Sequence, residues 1–450
     1  MIITGHTNFK NRPAFFGKRD DVWVFEHAHT MTDAVGAENF NRFTDICCAA
    51  PLARMDGDTQ PGLFRLPKDR RKRLARKIGF TQISLSHEAS PLIKLVSRGD
   101  TTVVDAYLTP ILRRYVNQVA DQLDVQNKAC ERLMFMQSNG GLTDANLFQG
   151  KDAILSGPAG GVVGMVRTAS LAGYDKLIGF DMGGTSTDVS LVYEGKSRVT
   201  KDWYIEYGYP IRFPSIEVLT IGAGGGSLAW KDEGGSLRNG PQSAGAFPGP
   251  ACYKNGNEVA TNTDANVVLG RLGTSLAGGK ITLDPALAEA SVRDSVAEPF
   301  GMELHEAAEA VVAVANANMA NAVRLLSISR GYDPRDFALV AFGGAGALHG
   351  AAIAKELSIP TVIIPPNPGV TSALGCLLVD IQHDFSESFM AAAADSKPAD
   401  IEAVLAELPR AGLYLSIAAG RTIGEIARLV GEDAAIVRAM PNTPAAIRFG

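Results

Sequence analysis

The sequence predicts an α/β fold with mixed sheets. Strand-like apolar runs alternate with segments of helical spacing along most of its length. Three of those runs end in glycine clusters, within GFDMGGTSTDVSLV (179–192), TIGAGGGSLAW (220–230) and VAFGGAGALHG (340–350). The chain holds 47 glycines in 450 residues, above ordinary usage, and they are grouped rather than spread.

Taken in order, residues 1–77 show few periodic segments and hold three of the seven histidines, His6, His27 and His29. They close on the basic run RLPKDRRKRLARK (65–77). No aromatics interleave it, so a solvated helix or linker is expected there rather than a nucleic-acid patch. FTQISLS (80–86) alternates as a strand does. The stretch 101–124 predicts a helix, with Val104, Leu108, Leu112, Tyr115 and Val119 on one stripe and a bend at Pro110. RLMFMQS (132–138) predicts a buried strand, its methionines core rather than metal site. GPAGGVVGMVRTASLAGY (157–174) predicts a glycine-rich turn feeding a helix. KLIGFDMGG (176–184) predicts a strand entering a turn, and TDVSLVYEG (187–195) the returning strand. The Ala-rich stretch 305–331 predicts a long helix closed by Gly331. FALVAFGGAGALHGAAIAKEL (337–357) reads as strand, glycine turn and helix, and PTVIIPP (360–366) as a further strand. SFMAAAADSKPADIEA (388–403) has the composition of a linker or seam.

Composition narrows the function classes. Hydrophobic content of 46% and charged content of 20% describe an ordinary globular protein of two or three domains. A net charge of −5 gives no global attraction to nucleic acid or an anionic membrane. No apolar run is seen to approach the roughly 18 residues of a spanning segment, and the N-terminus lacks the order of a signal peptide. Five cysteines, with Cys47 and Cys48 adjacent and no CxxC pair, suggest neither a disulfide framework nor zinc. A cytoplasmic location is the expectation.

The turn from Asp181 to Asp188 combines three kinds of group. Glycines let backbone N–H groups approach a phosphate. Threonine hydroxyls add donors, and a carboxylate holds Mg²⁺, often through water. The turn joins two strands and so differs from GxxxxGK[ST], which is absent. Alone, it also fits a plain hairpin with capping polar residues. Three such loops in one α/β unit favour a nucleotide cleft at the strand ends.

The ordered series LSGPAGGVVG, GFDMGGTSTDVSLV, TIGAGGGSLAW, GPQSAGAFPGPACY, TDANVVLGRL and VAFGGAGALHG resembles the hydantoinase A/5-oxoprolinase family, whose relatives include N-methylhydantoinase subunits and acetone carboxylase ATP-binding subunits. The resemblance covers about 78–389. It implies an actin-like, sugar-kinase-like ATPase fold of two ribonuclease-H-like halves that clamp ATP. Gly183 and Gly184 resemble the second phosphate loop, and Gly343, Gly344 and Gly346 the adenosine loop. ILSGPAGGVVG resembles the helix connecting the halves. The family's first phosphate loop has no counterpart before residue 140, so the first half is expected to be incomplete.

The resemblance further implies an ATP-dependent hydrolase subunit that opens a cyclic amide of the hydantoin or 5-oxoproline type. A carbonyl oxygen accepts the γ-phosphoryl group, and the activated carbon is then attacked. Asp181 and Asp188 are expected to be catalytic and to hold Mg²⁺. Thr185 and Thr187 are expected to bind phosphate, with Gly224 and Gly225 beside them. Asp264 and Asn266 are expected either to cap the helix VVLGRL or to face the substrate. A hydantoinase B-type subunit is the implied partner, with no nucleic acid and no membrane. Two alternatives stay open: a carboxylase subunit of the acetone carboxylase type, and an inactive remnant.

LSIAAGRTIGEIARLVGEDAAIVRAMPNTPAAIRFG (415–450) resembles instead a Rossmann-like fragment of pyrroline-5-carboxylate reductase, with Ala418 and Asn442 as cofactor neighbours. No GxGxxG precedes it at a fitting distance, so reductase activity is not expected. The expected organisation is an unassigned region 1–77, an ATPase domain 78–389, a linker or seam 390–407 and a reductase-like fragment 408–450. Among lesser signals, His87-Glu88 is expected at a turn or cap, and His349 in packing or capping near a bound base. Cys252 is expected to be a buried small hydrophobe, and Arg324 and Arg330 to be surface or cleft charges.

Overall fold

The computed structural model describes residues 72–382, apart from 74, 78, 91–94, 126–131 and 206–207. It also describes five short strands, Ile2–Thr4, Ala14–Phe15, Phe25–Glu26, Leu413–Ser416 and Ala435–Arg438. Chain contacts divide the protein into one unit of residues 1–90 and 95–383 and another of 91–94 and 384–450. In the second unit Leu413–Ser416 pairs in parallel with Ala435–Arg438. Ala418, Asn442 and the expected seam lie outside the described residues.

In the first unit, helix α1 (Leu95–Gln122) precedes α2 (Ser156–Leu171), then strands β1 (Leu177–Met182) and β2 (Thr187–Tyr193). Strands β3 (Val218–Ile221) and β4 (Ser227–Lys231) flank the second glycine loop. Helices α3 (Asn262–Val268) and α4 (Leu304–Ile328) lead to β5 (Ala338–Phe342), α5 (Gly346–Leu357), β6 (Thr361–Ile363) and α6 (Thr371–Leu377). The main sheet runs β3-β2-β1-β5-β6, with Lys196–Ser197 paired to β2. The β1–β2 and β2–β3 pairs are antiparallel, whereas β1–β5 and β5–β6 are parallel. The expected mixed sheet is present.

Alternation along the strands builds two cores. Ile178, Phe180, Met182, Val189, Leu339 and Ala341 pack on one face with Met319 of α4 and Ile353 of α5. Leu177, Val192, Val340 and Phe342 pack on the other with Val162 and Met165 of α2. By the same alternation Asp181, Asp188 and Thr220 belong to the α2 face. Thr187, Leu219 and Ile221 belong to the α4 face.

Three sequence expectations need correction. The glycines of 157–164 form no turn: α2 already begins at Ser156. They serve a close helix crossing instead. A methyl group on Gly164 would collide with the Thr371 carbonyl oxygen, and one on Gly375 with the Gly160 carbonyl oxygen. The stripe on α1 is rotated. Thr101, Thr102, Asp105, Ala106, Thr109 and Val116 are buried, Val104, Leu108, Leu112 and Val119 only partly so, and Tyr115 is exposed. Polar side chains are tolerated inside because they are bonded: Ser84 donates to Asp105 at 2.7 Å and Thr109 at 3.2 Å. Finally, α4 is long and apolar enough to cross a membrane by length and composition. Its Ala307, Val311, Ala315, Met319 and Val323 are buried in the protein's own cores, the signature of a core helix. It closes where expected, with Gly331 at φ +80° and its amide bonded to the Ile328 carbonyl.

Candidate functional site

Strands β1 and β2 bring two carboxylates side by side. Asp181, one residue before the end of β1, is the cross-strand partner of Asp188, the second residue of β2. Residues 183–186 cross over between them, closed by a bond from the Gly183 amide to the Ser186 carbonyl at 3.0 Å. The backbone amides of Gly184, Thr185 and Ser186 donate to nothing among the described residues. Gly184 and Thr185 are exposed. Unpaired amides at a turn that water reaches are free to donate to a bound anion.

The carboxylates lie in surroundings that disfavour charge. Burial and, less strongly, the neighbouring Asp188 push the Asp181 carboxyl up to about 6, against the opposing hydrogen bond from the Ser372 hydroxyl at 3.5 Å. Asp188 is also raised by burial, opposed by a hydrogen bond that Thr220 donates at 2.5 Å. Two raised carboxylates face each other with no ion-pair partner among the described residues. Asp181 is walled in by glycines. A Cβ on Gly161 would lie 3.2 Å from its Oδ2, and one on Gly343 would collide with its Oδ1.

The second glycine loop nests against this tip rather than opening towards a ligand. Gly225 donates to the Gly183 carbonyl at 3.0 Å and Gly226 to the Gly184 carbonyl at 2.6 Å, while Gly224 donates to Ser227 Oγ at 2.8 Å. A Cβ on Gly224 would lie 2.6 Å from the Thr185 amide nitrogen. Gly224 and Gly225 are therefore needed for close approach between loops, and their own amides are spent. The third loop joins in. Ala345 donates to the Met182 carbonyl at 2.9 Å and Gly343 to the Pro368 carbonyl at 2.9 Å. Gly343 sits at φ +81°, where a side chain is strained. Gly344 is exposed with open space beside it, and Gly346 begins α5, buried against the Phe180 carbonyl.

Several expected site residues are placed elsewhere. Thr187 is fully buried and its hydroxyl donates to the Ala223 carbonyl at 2.6 Å, so it is no phosphate donor. Its neighbour Asp188 faces the tip, so strand alternation turns Thr187 into the α4 core. Asp264 is also fully buried. Its carboxylate accepts from the amides of Ala251, Cys252 and Thr261 and from the Thr261 hydroxyl, at 2.7–3.1 Å. It is the N3 residue of a capping box on α3, which starts five residues before the expected VVLGRL. Asn266 is buried one turn along the same helix, bonded to the Asn262 carbonyl. Both are buried, and whereas the Asp264 carboxylate is filled by its four donors, Asn266 Oδ1 has no hydrogen-bond partner among the described residues. Cys252 is buried and its thiol is pushed up by burial and by Asp264, in keeping with an inert core residue. His349 is buried beneath the third loop, 2.7 Å from Asn316 of α4, and burial with nearby Arg271 holds it down to about 4, hence neutral. Arg324 pairs with Glu356, Arg330 with Glu217, and Glu88 with Lys72.

A nucleotide's phosphates and a divalent cation fit the tip. Three amides are unpaired among the described residues, Thr185 stands beside them, and Asp181 with Asp188 supplies negative charge that no described cation pairs with. No group of three or more His, Cys, Asp or Glu able to hold a metal occurs among the described residues. A cation at the pair would take its remaining oxygens from phosphate and water, as Mg²⁺ commonly does. Sequence reasoning missed Thr220, Ser372 and Gly161, which touch the pair from β3, α6 and α2. A surface pocket lined by Arg324, Tyr332, Asp333, Arg335 and Glu356 lies at the far end of α5, about 15 Å along that helix from its start.

Residues 98–385 match the family described as Hydantoinase/oxoprolinase. The caprolactamase subunit alpha of Pseudomonas jessenii is 41% identical over 301 residues, 66% of this chain and 43% of that protein. A 5-oxoprolinase of Saccharomyces cerevisiae is 40% identical over 331 residues, 70% of this chain and 25% of that one. The crystal structure of an ATP-dependent caprolactamase from Pseudomonas jessenii superposes with a TM-score of 0.62 at 31% identity, covering 84% of this chain and 56% of that one. A nucleotide-free acetone carboxylase structure superposes with a TM-score of 0.65 at 25% identity, covering 75% and 49%. The chain spans half or less of the length of the curated relatives described here.

Proposed function

This chain belongs to the hydantoinase/oxoprolinase family, and from that premise we propose that it is the nucleotide-binding part of an ATP-dependent hydrolase that opens a cyclic amide. The observation that carries the reading is the Asp181–Asp188 pair beside the unpaired amides of 184–186. Bound ATP would supply its γ-phosphoryl group to the amide oxygen, releasing ADP; water would then add to the activated carbonyl carbon, the C–N bond would break with the ring nitrogen leaving as a protonated amine, and a second water would release the phosphate and leave a carboxylate. The protein's own groups have three tasks. The amides of Gly184, Thr185 and Ser186, with the Thr185 hydroxyl, donate to phosphate oxygens. Asp181 and Asp188 hold Mg²⁺. Gly343 and Gly344 let the backbone pass close to the nucleoside side of the cleft.

The reading extends to an actin-like, two-halved ATPase architecture, in which the α2–α6 glycine crossing lies behind the carboxylates. Relatives named as a caprolactamase subunit and an acetone carboxylase support a partner subunit, for which a B-type hydantoinase chain is our choice. We place the protein in the cytoplasm. The 408–450 resemblance to pyrroline-5-carboxylate reductase adds no activity, because half a dinucleotide-binding unit does not hold a dinucleotide.

The acetone carboxylase superposition favours a second reading, an ATP-dependent carboxylase subunit. ADP release separates the two. With the partner subunit present, hydantoin, 5-oxoproline or caprolactam should stimulate it, and bicarbonate with acetone should not. Stimulation by bicarbonate and ketone alone would favour the carboxylase. No ATP binding under any condition would leave a non-catalytic remnant.

A further inference from the structure

The carboxylate pair is held from one side by the first residue of TIGAGGGSLAW, to which neither the motif nor the proposed function gives a role. Thr220 lies on β3 directly across from Asp188 in the antiparallel register. Its hydroxyl donates to Asp188 Oδ1 at 2.5 Å, at the short end of the range for a hydroxyl bonded to an ionised carboxylate. Threonine is β-branched and stiff about χ1, so its donor occupies a fixed place above the sheet. One lone pair of Asp188 Oδ1 is thus taken, and Oδ2 makes no hydrogen bond among the described residues. Asp181 is treated differently. Among the described residues its one side-chain bond, from Ser372, is 3.5 Å long, and the glycine faces of Gly161 and Gly343 lie against it.

We propose that Thr220 is a positioning residue that fixes the orientation of the Asp188 carboxylate through Oδ1 and so presents it, together with Asp181, to a divalent cation. This inference rests on the reading of the pair as the Mg²⁺ site. Thr220 itself is exposed on the edge strand β3, so its removal leaves no buried hole. A partner of this kind around a metal ligand is worth on the order of 10- to 100-fold in metal affinity.

The test uses the full chain, with Mn²⁺ titrated in the presence of AMP-PNP and followed by electron paramagnetic resonance, so that no turnover is needed. Thr220→Val should weaken Mn²⁺ binding about tenfold with an unchanged melting temperature, and Thr220→Ser should restore it to within about threefold. Asp188→Asn is run alongside. If Asp188→Asn loses Mn²⁺ but Thr220→Val binds as wild type, the positioning role is overturned while the metal reading stands. If Thr220→Ser fails to rescue, the threonine acts through its methyl group and the proposal also falls. If Asp188→Asn itself binds Mn²⁺ normally, the metal reading underneath has failed.

Discussion

Two sets of carboxylates in this molecule were singled out by the same motif reading, and the structure treats them in opposite ways. Asp264 accepts four hydrogen bonds and has no exposed surface. Asp181 and Asp188 face each other at a strand end, partly exposed, with one side-chain donor each among the described residues. A carboxylate whose lone pairs are filled by backbone amides is structural, because nothing is left to give a ligand. A pair left to repel itself is tolerated only where something else supplies the missing charge. Acidic residues in a shared motif thus divide by their bonding, not by their proximity to glycine.

The comparison can be broken at its structural end first. Asp264→Ala should destabilise the fold by about 4 kcal/mol, since it strands the amides of Ala251, Cys252 and Thr261 in the interior. Urea unfolding measures this, and a loss under 1 kcal/mol would show that Asp264 is not the brace described. Asp188→Asn should do the reverse. Its fold stability should hold, while ATP turnover with the partner subunit falls on the order of 100-fold, about 3 kcal/mol of barrier. Gly343→Ala tests the wall around Asp181. A methyl there meets Asp181 Oδ1 and the Met182 carbonyl at φ +81°. We expect about 2 kcal/mol of lost stability, read by thermal melting, together with impaired nucleotide binding.

The smallest effect sharpens the electrostatic half. The Asp181 carboxyl is raised from 3.8 to about 6, so its contribution to stability is full below about pH 4 and is lost as pH rises through about 6. Above that range the ionised carboxylate is a burden that asparagine lacks. Asp181→Asn should therefore be more stable than wild type at pH 7.5 without Mg²⁺. The gain should be about 1–2 kcal/mol, discounted because water still reaches the group. It should vanish towards pH 4. A gain that is flat with pH would remove the repulsion argument.

Local pattern made part of this legible. The β1 turn β2 hairpin, the β5 loop α5 unit and α4 all follow from runs whose period and glycine ends sit together in the chain. What escaped depends on partners distant in sequence. Gly160 and Gly164 read as a turn because their reason for being small, α6, lies some two hundred residues further on. Thr220 went unnoticed because only strand order puts β3 beside β2. Thr187 is the exception. Once Asp188 is assigned to the tip, alternation alone sends its neighbour to the other face, and the sequence held enough to say so. The TDAN motif leaves both a cap and a substrate contact open for Asp264, and the Thr261–Asp264 capping box at the start of α3 accounts for its carboxylate.

One titration reaches the core of the account: AMP-PNP binding to the full chain by calorimetry, with and without Mg²⁺, for wild type and for Asp181→Asn with Asp188→Asn combined. We predict Mg²⁺-dependent binding in wild type and loss of that dependence in the double variant. Equal binding with and without Mg²⁺, or a double variant that matches wild type, would contradict it.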